Sequence, residues 1–125
     1  MRSSKGERII YDILKEHDIN FKEEYSFPDL CSGYKRTKLR FDFAVFDDEG
    51  ELDYLIEYQG QQHYTPNGKF GGMDALRRQH INDEKKIKYC NIHRIPLLII
   101  PYTDEKLVSF DYILDKYNEA VFNLN

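Results

Sequence analysis

The chain has 125 residues, 41% of them apolar and 14% aromatic, with a formal net charge of −4. That length suits one domain, residues 1–125, around one core. No apolar run reaches the roughly 20 residues of a membrane span, the opening segment lacks the apolar stretch of a secretory signal, and the two cysteines, Cys31 and Cys90, are too few for a disulfide framework or a four-cysteine zinc site.

A reducing, intracellular setting follows as the expectation. The negative sum argues against nucleic acid, but distribution matters more than the sum. Lys35, Arg36, Lys38 and Arg40 cluster within six positions, and Arg77, Arg78, Lys85, Lys86 and Lys88 lie along one later segment.

In chain order, Ser3 to about His17 reads as a helix, with Ser4 and Glu7 spaced as a capping box and Ile9, Ile10, Ile13 and Leu14 as its apolar stripe. Phe21 to Phe27 alternates as a strand at or near a sheet edge and is expected to end at Pro28. A loop over 29–38 leads to two strand-like runs, Leu39–Phe46 and Leu52–Gln59, joined by Asp47-Asp48-Glu49-Gly50. A hairpin with Phe46 opposite Glu51 sets Asp42 opposite Leu55, one diagonal step from Glu57. Alternation places Leu39, Phe41, Phe43 and Val45 on one face, while Ala44 and Phe46 add apolar surface to the other. Strands apolar on both faces are covered on both sides, so Asp42 and Glu57 need partners or a metal.

Gly60 to Gly72 is a long loop containing His63 and Lys69, and a loop of that length is suspected of function. Met73 to about Asn91 reads as helix, with Leu76, His80, Asp83, Ile87 and Cys90 on one face. Asp83 therefore sits in the middle of the stripe expected to pack inward. Ile95–Ile100 is a short buried strand, and a last helical region carries Phe110, Ile113, Leu114, Tyr117 and Val121.

A phosphodiester-hydrolysing site holds Mg²⁺ or a similar hard cation with a few oxygen ligands. Asp42 and Glu57 are suitable ligands, with the Tyr58 carbonyl as a further donor. Gln59 orients a water or a phosphate oxygen, and His63 has the chemistry of a general base or acid near neutral pH. The bland readings are a capping role for Glu7, an i,i+3 pair of Asp83 with Lys86 on a solvated helix, and surface or phosphate contact for Lys86. A scattered zinc reading would use Cys90 and His93 with Cys31 or His80.

The helix acid Glu7, then Asp42, then Glu57-Tyr58-Gln59, in an α-β-β-β-α-β order, resembles the PD-(D/E)xK nuclease superfamily with Gln59 in place of its lysine. With His63 in GQQHY and Asp83 in INDEKK, the set resembles the very-short-patch-repair (Vsr-like) branch and its phage-type homing-endonuclease relatives, which share an E-D-x-H-D motif. Glu7, Asp42, Gln59, His63 and Asp83 match the five positions in order, over Ser4 to Pro101. The likeness implies a restriction-endonuclease-like, three-layer α-β-α sandwich around a mixed β-sheet and Mg²⁺- or Mn²⁺-dependent hydrolysis of double-stranded DNA. It implies metal at Asp42, Glu57 and Glu7, and a catalytic set of Glu7, Asp42, Gln59, His63 and Asp83. DNA contacts are expected at Lys35, Arg36, Lys38, Arg40, Lys69 and Lys86, with no membrane partner.

Two departures matter. The mismatch-repair members carry a structural zinc site that two cysteines do not reproduce, and a DNA-wedging aromatic set here reduced to Tyr64. The homing type is therefore favoured, with specificity drawn from a separate DNA-reading domain or from a homodimer. Glu57 and Gln59 both remain candidates for the variable position. The alternatives are a structure-specific nuclease (a junction resolvase or repair type) and a DNA-binding module of the same fold without chemistry.

Overall fold

The computed structural model describes residues 4–33, 36–61, 64 and 72–124. The elements run α1 (Lys5–Glu16), β1 (Asn20–Cys31), β2 (Lys38–Phe46), β3 (Leu52–Gln59), α2 (Met73–His93), β4 (Leu97–Pro101), a 3-10 segment (Tyr102–Leu107) and α3 (Phe110–Leu124). The four strands form one mixed sheet in the order β1-β2-β3-β4. The first three are antiparallel neighbours, and β4 lies parallel to β3. A parallel neighbour requires a crossover, and α2 supplies it. The chain is thus a mixed α/β fold.

Local chemistry accounts for the element boundaries. Ser4 caps α1: the Glu7 N–H donates to Ser4 Oγ at 3.2 Å, and the Ser4 N–H donates back to Glu7 Oε1 at 3.0 Å, the reciprocal box expected from the spacing. The β2–β3 turn closes through Asp47, whose Oδ1 accepts from the N–H groups of Glu49 and Glu51, while Gly50 takes φ +84°, a conformation that favours glycine. α2 ends at Arg94 in the left-handed region.

Pro28 does not end β1. The strand continues to Cys31, and the register shifts between Ser26 and Cys31; β1 is an outer strand, where a missing N–H is tolerated.

Buried side chains form two clusters. One joins Ile10 and Leu14 of α1 and Ile113 of α3 to Phe43, Val45, Ile56, Leu98 and Ile100. The other joins Cys90 of α2 to Leu30, Leu39, Phe41, Ala44 and Leu55. Leu39 and Phe41 thus part company with Phe43 and Val45, against the single face expected from alternation. The phase changes at Asp42. In β1 it also changes between Phe21 and Tyr25, which pack on opposite clusters, with Glu24 at φ +50°. The flanking partners Glu23↔Phe43 and Tyr25↔Phe41 set Glu24 across from Asp42. One left-handed residue breaks the period of two on which the sequence pattern rests.

Gly6 shows how closely α1 lies on the sheet, since a Cβ there would fall inside the Tyr58 ring. That ring is 7% exposed and its hydroxyl donates to Glu105 at 2.9 Å, so it has little room to withdraw. Gly→Ala inside a helix gains about 1 kcal/mol from propensity, whereas overpacking costs about 1–3 kcal/mol. Gly6→Ala is therefore expected to lower the melting temperature, read by circular dichroism; an unchanged or raised value would contradict this packing.

Candidate active site at the end of the β2–β3 ladder

The β2–β3 pairing differs from the expected hairpin twice: Phe46 faces Leu52 in place of Glu51, and a bulge follows. Phe46 pairs with Leu52, but Val45, Ala44 and Phe43 pair with Tyr54, Leu55 and Ile56. Continuing that register by one residue puts Asp42 directly across from Glu57, not diagonal to it. At this point side chains replace the ladder. The Asp42 N–H donates to Glu57 Oε2 at 3.1 Å, and the Tyr58 N–H donates to Asp42 Oδ2 at 2.7 Å. The two strands diverge, and the carboxylates satisfy the backbone donors left behind.

Lys86 of α2 reaches the same place. Its Nζ stands 3.2 Å from Glu57 Oε2, with the lysine and glutamate side chains 13% and 8% exposed. On its way the chain of Lys86 passes Phe41, whose ring centre lies 5.3 Å from Nζ. This corrects the expectation of a surface lysine, because the Lys86 side chain is largely covered and paired with Glu57. The helix face explains it, since Asp83, Lys86 and Cys90 follow one another at steps of three and four. In contrast, the expected stripe is wrong in part, as His80 is exposed and Ile87 is 39% exposed.

The electrostatics are unbalanced. Burial first, then the charge of Glu57, pushes the Asp42 carboxyl from 3.8 up to about 8; the Tyr58 N–H opposes this, and Glu7 adds both its charge and a side-chain hydrogen bond. Glu57 is also raised, mainly by burial and further by Asp83, against the lowering effect of Lys86 and the Asp42 N–H. Glu7 of α1 and Glu57 thus act on Asp42, while Asp83 of α2 and the Lys86 ammonium act on Glu57 in opposite directions. Asparagine and glutamine would satisfy the same two N–H groups without the cost of burying charge. Retaining acids here makes chemical sense if a cation joins them.

Beside this cluster, Gln59 Oε1 accepts from the Tyr64 hydroxyl at 2.7 Å, and the Tyr64 ring lies 5.6 Å from Tyr102. Asp83 and burial together raise the Tyr64 hydroxyl.

Of the residues singled out in the sequence, Glu7, Asp42, Glu57, Asp83 and Lys86 are brought into mutual influence, and Gln59 sits at the neighbouring strand end. His63, Lys35 and Lys69 lie outside the described residues. Lys38 and Arg36 are exposed, and Arg40 is exposed but paired with Glu24 at 2.7 Å. Among the described residues no group of three or more His, Cys, Asp and Glu side chains converges as a metal cage, which also removes the scattered zinc reading. Burial pushes the Cys90 thiol up to about 12, so it serves the core as a small apolar group. The expected ligands Glu7, Asp42 and Glu57 likewise do not gather as a set of three; Asp42 and Glu57 face each other with oxygen donors of the kind a hard divalent cation takes. What the sequence reading missed was the role of Lys86, although its three-residue spacing from Asp83 was already visible.

Comparison with known proteins places the chain beside viral relatives. No protein-family model matches it, and no solved structure does. It is 27% identical over 124 residues to the uncharacterized protein 307L of Invertebrate iridescent virus 6, covering 90% of this chain and 63% of that protein. It is 35% identical over 91 residues to the uncharacterized protein 094L of Frog virus 3, covering 63% of this chain and 59% of that protein. The chain spans about three fifths of the length of the curated relatives it matches.

Proposed function

We propose that this chain is a metal-dependent DNA endonuclease domain that hydrolyses phosphodiester bonds, with the three-layer α-β-α arrangement of the restriction-endonuclease-like nucleases. One observation carries the reading: a buried carboxylate, Glu57, and a half-buried one, Asp42, face each other where the ladder ends, with the half-buried ammonium of Lys86 on Glu57. Further acids reach this centre from helices packed with different core clusters, Glu7 from α1 and Asp83 from α2.

A hard cation such as Mg²⁺ or Mn²⁺ would be held by Asp42 and Glu57 with help from Glu7, and it would polarise a phosphoryl oxygen and acidify a water. The residues of the chain do the rest. Lys86 supplies the positive charge that Gln59 lacks and would meet a phosphate oxygen. Asp83 keeps Lys86 and the neighbouring hydroxyl of Tyr64 in a negative field. Gln59 and Tyr64 offer neutral donors and acceptors at the strand end, where a sugar or a water is held. The E-D-x-H-D likeness adds His63 as the group that moves a proton, and it favours a homing-type enzyme acting on double-stranded DNA inside the cell.

The test is direct. Purified chain incubated with supercoiled plasmid and Mg²⁺ or Mn²⁺ is expected to give nicked or linear DNA, and EDTA is expected to stop it. Asp42→Ala is expected to reduce the rate by at least about a hundredfold, the scale of losing one preorganised charge-stabilising group. Equal cutting by Asp42→Ala would remove the site assignment. Cutting confined to branched substrates would favour the structure-specific nuclease, and metal-independent binding with no cutting would favour a module without chemistry.

A further inference from the structure

Next to this site, on an adjoining face of α2, lies an open groove of about 390 Å³ between the helix and the β1–β2 connection, lined by Ser32, Gly33, Arg78, Ile81, Asn82 and Lys85. Among the described residues its lining holds two cations and no acid, in a protein whose net charge is −4. Lys85 faces the connecting loop closely, with its Nζ 3.7 Å from where a Cβ on Gly33 would stand. Ile81 is 53% exposed on the groove wall, an apolar surface between the cations and the amide of Asn82. In helical register the groove and the site are interleaved: Asn82 and Lys85 line the groove, while the next residues, Asp83 and Lys86, turn to Glu57. Successive residues are rotated by about 100°, so a strand seated in the groove leads onto the site within one turn of helix.

We propose that this groove binds the sugar–phosphate backbone of a nucleic acid, with Lys85 and Arg78 on phosphates and Ile81 against a sugar. The nucleic acid as partner rests on the nuclease reading above, but the groove does not need cleavage to act. Its charge and lining match what a backbone presents: anionic oxygens for Arg and Lys, and apolar sugar edges between them. Contacts of this kind position a strand without reading its sequence. The expected DNA contacts at Lys38 and Arg40 lie on β2, so the groove is a separate track, centred on α2.

Binding of a fluorescent DNA duplex is read by anisotropy in EDTA, where no cleavage interferes, over a series of salt concentrations. The paired change Arg78→Glu with Lys85→Glu is expected to weaken binding roughly tenfold or more, and Arg78→Ala with Lys85→Ala is expected to lower the slope of log affinity against log salt by about one to two. Lys15→Glu, an exposed charge reversal on α1, controls for net charge and is expected to change affinity much less. Far-ultraviolet circular dichroism confirms that the compared variants are folded. Groove variants that bind as wild type does, or a Lys15→Glu loss per charge as large as theirs, would overturn the groove. If plasmid cutting fails while the groove variants lose binding, the groove stands and the nuclease reading falls. If cutting succeeds while the groove variants bind normally, the groove alone falls.

Discussion

Asp42→Asn is expected to make the protein more stable at pH 8 while abolishing activity. The carboxyl of Asp42 is raised from 3.8 to about 8, first by burial and then by Glu57. A carboxyl whose folded value lies above its unfolded value binds its proton more tightly when folded. Its contribution to stability is therefore complete below about pH 4 and is lost as pH rises through about 8. Each pKa unit corresponds to about 1.4 kcal/mol, so this shift sets an upper bound of several kcal/mol. Because neighbouring acids relax and share the proton, a gain of about 1–3 kcal/mol for the asparagine variant is the expected result, several degrees in melting temperature for a chain of this size.

Asparagine keeps an oxygen for the Tyr58 N–H, so the backbone bond survives. The gain should shrink toward zero as the pH falls through and below about 4, where the carboxyl becomes protonated in the unfolded state as well. Thermal melts across that range decide the matter: a variant no more stable than wild type at pH 8, or a difference that grows in acid, would show that Asp42 is not held against its own charge. The same melts test the cation. Mg²⁺ is expected to raise the wild-type melting temperature, because a ligand bound only by the folded state stabilises it, and to leave Asp42→Asn almost unmoved.

The second large effect concerns Lys86. Lys86→Met keeps the length of the side chain beside Phe41 but removes the cation from Glu57, which is 6% exposed. Breaking one side of a buried pair costs about 3–5 kcal/mol, because the remaining charge is left uncompensated. Glu57→Gln in the same chain removes that charge, and the double variant is expected to recover part of the loss. The coupling between the two positions should be about 1–3 kcal/mol, measured as a double-mutant cycle by urea denaturation. Additive losses, or a Lys86→Met cost below about 1 kcal/mol, would show that the pair is not the buried contact described. In the plasmid assay the double variant should stay inactive although it is stable, since it lacks both the Glu57 carboxylate and the Lys86 ammonium.

Much of the site was legible before any coordinates. Asp42 and Glu57 stood out as acids within apolar strands, and Glu7 and Asp83 as acids on helices flanking them. Charge among apolar residues is costly unless it is compensated, and that cost is written into the residue types. The same reasoning failed for the hairpin register. Phe46 pairs with Leu52 in place of Glu51, and a bulge between Val45 and Phe46 adds one further residue; together they moved Glu57 from the diagonal to the position facing Asp42, and no residue pattern in the turn announces such an insertion. It failed again for α2, whose inward face carries Asp83 and Lys86 among few apolar groups, while Ile81 and Ile87 point outward. A helix whose inner face serves a polar centre does not show the apolar stripe on which periodicity depends.

The residues alone determined the elements and their order, because capping, alternation and turn chemistry act over a few positions. They also determined that buried charge had to be reckoned with. Only the tertiary structure decided which charges meet. The phase change at Asp42 and Glu24, the divergence of β2 from β3, and the crossing of Lys86 over Phe41 arise from contacts between segments 15 to 45 residues apart in sequence. Local pattern carries no record of such distances, so the pairing of Lys86 with Glu57 and the groove beside it could be seen only in the fold.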